Sequence, residues 1–331
     1  MSILNIMVDK KVIIKYYMRK VILMKQNIIK NAYISAFDID DKNLKDLILI
    51  NTKCLVDDSK QRYIFVDNKR LKDELIYYRF YGENIKYNNI LNILFPVIIS
   101  NTNIKKSEEE VVLLIQKYVK YLKKEEFIFE YILGSVLYNS IVHLLIENKN
   151  IEYNELLKFI KEKIIDFTIE LDKSNMIKFQ MARINVIQQI DKYIELKVEK
   201  YNDEKIINTL LNILYDIYIE DREVSNDGIK SIKKSILSIL GEEKNFNINN
   251  IDFAISMSEY ITKLRDYKVN KKIYNKTANP LNLINLNEGD TFIDPIFNQI
   301  QIVSKIFKDN ILKLNIKAKS GEYTLKFKKS I

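Results

Sequence analysis

The chain has 331 residues, 47% of them hydrophobic and 29% charged, with one cysteine, one histidine and a formal net charge of +9. That length suits one large domain with an appendage, or two domains, and the apolar content supplies a core, which excludes disorder over most of the chain. The single cysteine, Cys54, excludes an internal disulfide and a cysteine-rich metal centre and fits a reducing compartment.

Charge is distributed unevenly. Residues 1–23 carry Lys10, Lys11, Lys15, Arg19 and Lys20 against Asp9, and residues 299–331 carry eight lysines against Asp309 and Glu322, so the body between them is close to neutral. Arginine is scattered, and the abundance of Ile, Tyr, Asn and Lys is the profile that AT-rich codons give. Lysine content alone is therefore a weak functional signal.

Taken in chain order, residues 1–23 read as a basic N-terminal extension, either the product of an upstream start codon or a first helix. Lys15, Arg19 and Lys20 interrupt its apolar runs before a signal-peptide core or a membrane span forms, which places the chain in the cytoplasm with no membrane span. An all-α domain is expected over 24–279. In its first part, NIIKNAYISAFDI suits a helix and QRYIFVD a short strand. Pro96 should kink or end a helix within 85–99. In SEEEVVLLIQKYVKYLKK the residues Val112, Ile115, Val119 and Leu122 line one helix face, and Ser107 with Glu110 has the spacing of a capping box. The segment 127–148 is apolar nearly all round and is expected at the centre. Two long amphipathic helices follow, then a helix in DEKIINTLLNILYDIYIED, one from about Asn226 that ends before Gly241, and a last helix in NIDFAISMSEYITKLRDYK.

Pro280, Gly289 and Pro295 punctuate a linker over 280–297, where the apolar period changes from that of a helix to that of a strand. Beyond it, residues 298–331 read as a basic three-stranded antiparallel β-meander packed on the helices. Its last hairpin turns at Ser320-Gly321, pairing Ala318 with Tyr323, Ile316 with Leu325 and Leu314 with Phe327. An earlier turn falls at Lys308-Asp309-Asn310. The fold class expected is mainly α, a multi-helix orthogonal or bundle-like domain with this small meander at its end.

Three constellations carry chemistry. Lys313, Lys317, Lys319, Lys326 and Lys328 fall on the outward face of the last hairpin, a basic surface for an anionic partner such as a nucleic acid backbone or an acidic protein. Tyr323 and Phe327 point to the other face, away from any base-stacking role. Ser135, Asn139, His143 and Glu147 recur every four residues on the central helix and form a polar stripe, in which the histidine would act as a base if the stripe lined a cavity. Asp216, Glu220 and Glu223 share a spacing that would project three carboxylates from one helix face towards Mg²⁺ or Ca²⁺.

Two stretches resemble known families locally. IEDREVSNDGIKSIKKSI is similar to the helix-loop-helix consensus of TerB-like tellurite-resistance domains, with Arg222 where that consensus has glycine and Gly228 where it has glutamate. GDTFID, holding Asp290 and Asp294, resembles the Gly-Asp-Thr-Asp metal motif of the all-α ADP-ribosylglycohydrolases. The second acid does not follow Thr291 directly, and Asp38, Asp40 and Asp41 in AFDIDDKN are distant stand-ins for that family's N-terminal Gly-Asp pair. There is no Walker motif, GxGxxG, HExxH or Cys/His cluster. The residues favour a non-catalytic binding or scaffolding module that needs no cofactor. The alternative is a divalent-cation-dependent hydrolase, which the glycohydrolase resemblance implies and which requires Asp290 and Asp294 to converge with Asp216 or Asp38.

Overall fold

The computed structural model describes residues 25–328 except 84, 86–88, 203, 243–245, 247, 249 and 271; the expected basic N-terminal extension lies outside the described residues. The body is helical. Helix α1 spans residues 25–36, and α2 (Lys42–Cys54) and α3 (Asn68–Tyr81) flank a short antiparallel hairpin, β1 (Leu55–Asp58) and β2 (Tyr63–Val66). Then come α4 (Asn89–Ser100), α5 (Ile104–Leu122), α6 (Ile128–Glu147), α7 (Tyr153–Asp166) and α8 (Lys173–Ile194). The last three are α9 (Ile206–Tyr218), α10 (Asp227–Leu240) and α11 (Ile251–Arg265).

Helix α6 is apolar nearly all round because its middle has no wet face: α4, α5, α7, α8, α9 and α10 all pack on it, and residues from Tyr131 to Val142 are buried without a break. By length and composition the segment Glu125–Glu147 would pass for a membrane span, and most of it is buried inside the body. Gly134 lets α9 approach. A Cβ there would overlap Ile206, with Cγ1 only 2.7 Å away.

Local signals fix most helix ends. Asn226 caps α10 by accepting from the backbone N–H of Gly228 and Ile229, and Gly241 closes it at φ 103, a left-handed conformation that glycine adopts without strain. Two helices depart from the sequence reading. The cap of α5 is Asn103, which accepts from Lys106 N; Ser107 is buried inside the helix, and Glu110 instead binds the β2 strand through Tyr63 OH and Val66 N. Asparagine caps as well as serine does, so the earlier site wins, and the carboxylate satisfies a buried strand N–H. Helix α4 runs through Pro96 to Ser100. The proline removes one hydrogen bond, but every residue of α4 is buried, and that packing outweighs a local preference.

The C-terminal sheet has four strands rather than three, in the order β3 (Thr291–Asp294), β4 (Asn298–Lys308), β5 (Ile311–Ala318) and β6 (Gly321–Lys328), all antiparallel. The extra strand comes from the stretch read as a linker, which also contains a 3-10 turn at Pro280–Asn285. Between β4 and β5, Asp309 and Asn310 both have positive φ, 52 and 61, the conformation of a type I′ turn whose twist matches the strands it joins. The β5–β6 turn lies at Lys319-Ser320, one position before the expected Ser320-Gly321. Ile316 therefore pairs with Tyr323, Leu314 with Leu325 and Leu312 with Phe327. This register differs by two residues from the expected one. A slide of two keeps every side chain on its own face, so alternation alone could not distinguish them.

The sheet's inner face builds a second core against α3. Phe80 packs tilted against Phe327, and Tyr81 tilted against Phe297 and edge-on against Tyr323, with ring centroids 4.9–5.7 Å apart. Asp294, buried, accepts from Tyr77 OH at 2.9 Å and from the backbone N–H of Ile296 and Phe297, tying the first sheet turn to α3. Between body and sheet, Val269, Asn270 and Tyr274 strap the chain to the hairpin. Asp57 accepts from Val269 N and Asn270 N, and Asp67 from Tyr274 N.

Candidate functional site

Helix α3 packs on the inner face of the sheet, leaving Phe307 exposed at the far end, and the outer face meets solvent. Reading across the strands, one row is Gln301, Lys317 and Glu322, and the next is Ser304, Asn315 and Thr324. Asn315 donates to Ser304 Oγ at 2.7 Å and accepts from Thr324 Oγ1 at 2.6 Å, so this middle row is a hydrogen-bonded ladder. Beyond it lie Ile306, Lys313 and Lys326, and then Lys308, Ile311 and Lys328.

The five lysines singled out from sequence are consequently not equivalent. Lys317 stands directly opposite Glu322, which offsets its charge. Lys319 lies in the last turn and lines a groove of about 320 Å³ between body and sheet, with Lys53, Arg70 and Phe297. Lys313, Lys326 and Lys328 gather at the far end of the sheet, where Lys308 joins them. All four are exposed, and none has a carboxylate partner among the described residues, although Asp309 occupies the adjoining turn. Lys313 faces Lys326 directly across the β5–β6 pair, an arrangement of like charges that destabilises a sheet unless an anion lies over it. Tyr323 and Phe327 are buried on the opposite face, and Ile306 is the apolar neighbour of the lysines, half exposed at 51%.

The polar stripe of α6 does not line one cavity. Ser135 Oγ donates to Ile132 O within the helix, and Asn139 Nδ2 donates to Ile104 O at the start of α5, so both serve helix packing. Only His143 and the exposed Glu147 reach a cavity, of about 530 Å³, against α1, α11 and the β1–β2 turn. Burial, with Arg265 close by, pushes the imidazole down to about 3, so His143 is neutral at ordinary pH. The sequence did not point to Arg62, Thr102, Arg265 or Tyr267 on that cavity's wall. They come from three places far apart in the chain, the β1–β2 turn, the α4–α5 connection and the end of α11, and no spacing rule links these.

The carboxylates do not converge. Asp216 is buried on α9 and is held by Arg222, Tyr201 OH at 2.6 Å and, more distantly, Lys233 at 3.9 Å. The helix stops at Tyr218, which leaves Glu220 and Glu223 exposed in the following loop rather than on one helical face with Asp216. Arg222 stands where the TerB-like consensus has glycine, and it returns to Asp216 and Asn212, putting a guanidinium where a metal ion would have to sit. Asp290 accepts from Asn287 N ahead of β3, and Asp294 turns inward to Tyr77. Asp38 pairs with Lys234 at 2.7 Å, and Asp41 caps α2. Among the described residues no three acidic, histidine or cysteine side chains lie close enough to share a metal ion. Comparison of the chain with protein-family models, with curated proteins and with solved structures finds no match.

Proposed function

We propose that the protein is a non-catalytic binding module whose outer sheet face, at the end formed by Lys308, Lys313, Lys326 and Lys328, engages the phosphate backbone of a nucleic acid. The observation that carries this reading is the direct opposition of Lys313 and Lys326 with no acid between them. Neighbouring charges on such a face recur roughly 5 Å across strands and roughly 7 Å along them, a repeat that suits a chain of charges better than a single carboxylate. Lysine heads act as point charges, and Tyr323 and Phe327 are buried on the opposite face, so the contact is to backbone and tolerant of sequence.

The test is titration of a mixed-sequence single-stranded oligonucleotide into the full chain at several salt concentrations. Four phosphate contacts give a slope of log affinity against log salt of about −3. Reversing Lys313 and Lys326 together to Glu, at wholly exposed positions, is expected to weaken binding at least about tenfold with an unchanged circular dichroism spectrum, while Lys317→Glu has a smaller effect because Glu322 already offsets that charge. Binding indifferent to the double reversal would remove the basis of the reading. Competition by polyglutamate at equal charge would redirect it to an acidic protein.

A further inference from the structure

The cavity beside His143 lies on another part of the molecule and has a different character. His143 is 4% exposed, and neither ring nitrogen has a hydrogen-bond partner among the described residues, Nε2 being fully enclosed. A buried, unpaired imidazole is destabilising unless something the protein binds completes its hydrogen bonding. Across the cavity, Arg265 donates through Nη1 to the carbonyls of Ile99 and Asn101, which fixes the guanidinium at the end of α4. Its other N–H groups make no hydrogen bond among the described residues. Arg62, in the β1–β2 turn, lies over the Tyr267 ring at 5.5 Å, and Tyr267 OH is in turn bonded to Thr102 Oγ1 at 2.7 Å. That contact places the second guanidinium, on an exposed residue, at the cavity wall.

The charges at the wall are Lys25, Arg62, Arg265 and Lys268 against Glu147 and Asp266. Asp266 is already engaged, accepting from Gln26 at 3.0 Å and pairing with Lys268 at 2.6 Å, so the field in the cavity is positive. Two planar guanidinium forks, a hydroxyl pair and an imidazole suit a tetrahedral oxyanion better than a single carboxylate. The volume of about 530 Å³ falls within the range of small-molecule sites and exceeds what a bare phosphate fills.

We propose that this cavity binds a small phosphorylated metabolite, with Arg62 and Arg265 holding the phosphate and His143 bonding either that group or the moiety it carries. The site is independent of the sheet face. Because His143 is the only histidine in the chain, its ring carbon-bound proton signals in an NMR spectrum of the full protein report the site with no overlap from other histidines.

Inorganic phosphate, AMP and citrate serve as probes. Saturable movement of the His143 signal by inorganic phosphate in the millimolar range is expected, with AMP at least about tenfold tighter because it fills more of the cavity. Equal affinity for phosphate and AMP would narrow the ligand to the free anion and overturn the metabolite assignment. Citrate as effective as AMP would overturn the phosphate assignment, and no movement with phosphate would overturn the site itself. Arg62→Gln, at an exposed turn position, is expected to weaken phosphate at least tenfold without moving the unliganded His143 signal. The Lys313→Glu, Lys326→Glu variant is expected to leave the titration unchanged, so failure of one site is read separately from failure of the other.

Discussion

Burial lowers the His143 imidazole from 6.5 to about 3, and it raises the Asp46 carboxyl, despite Lys42 and Lys53 nearby, from 3.8 to about 6. The two act on stability with opposite signs. Between about pH 3 and 6.5 the unfolded chain protonates its histidine while the folded one does not, so the histidine contribution is complete above about 6.5 and declines as pH falls through that window. Between about pH 4 and 6 the folded chain keeps a proton on Asp46 that the unfolded chain has released, so this group erodes stability as pH rises and leaves a fixed penalty at neutrality. Asp46→Asn is therefore expected to stabilise the protein at pH 7 by about 2 kcal/mol and to change little near pH 4. Urea unfolding at the two pH values measures the difference, and an equal effect at both would contradict the assignment. None of this was legible in the sequence, where Asp46 is one acid among many and only the docking of Tyr323 over α2 makes its site dry.

At the scale of elements, the helices were largely legible because their apolar period is unbroken, and the ends that glycine and asparagine mark fall where those residues stand. What stayed hidden was decided between elements. The buried Glu110 was taken by a strand that no periodicity places beside α5, and the β5–β6 register depended on turn geometry because a slide of two residues leaves the hydrophobic pattern intact. The outward orientation of the lysines survived that slide, whereas their gathering at one end of the sheet, and the offset of Lys317 by Glu322, followed only from the observed pairing. The contact of α6 with α9 at Gly134 gives an element-level prediction. Alanine there gains about 1 kcal/mol of helix propensity but overlaps Ile206, and overpacking of this kind costs about 1–3 kcal/mol, so a net loss of about 1 kcal/mol is expected. Adding Ile206→Val should recover part of it, and a thermal melt of the single and double variants would show whether the two positions are coupled.

At the scale of the molecule, sheet and body share residues rather than merely touching. Tyr77 belongs to the sheet's core although it lies on α3, and Phe80 and Tyr81 pack with it against the sheet's aromatic rings. Truncation after residue 279 would expose these rings, so the shortened protein is expected to bind a hydrophobic dye and to melt several degrees lower, by roughly the scale on which 1 kcal/mol shifts a domain of this size. The apolar period changes after residue 297, which predicts a meander from 298, whereas the sheet begins at Thr291. That change could not show that β3 is recruited from the punctuated stretch itself, because four residues are too few for alternation to declare a strand.

The strap made by Val269, Asn270 and Tyr274 bears on synthesis. The hairpin it covers is made within the first fifth of the chain, yet Asp57 and Asp67 wait for amides that leave the ribosome only after α11, and Ser35 waits equally for Ser238. During translation the early helices therefore lack these partners for most of the time the chain takes to grow, and this part of the body can close only once α11 and the residues after it have emerged.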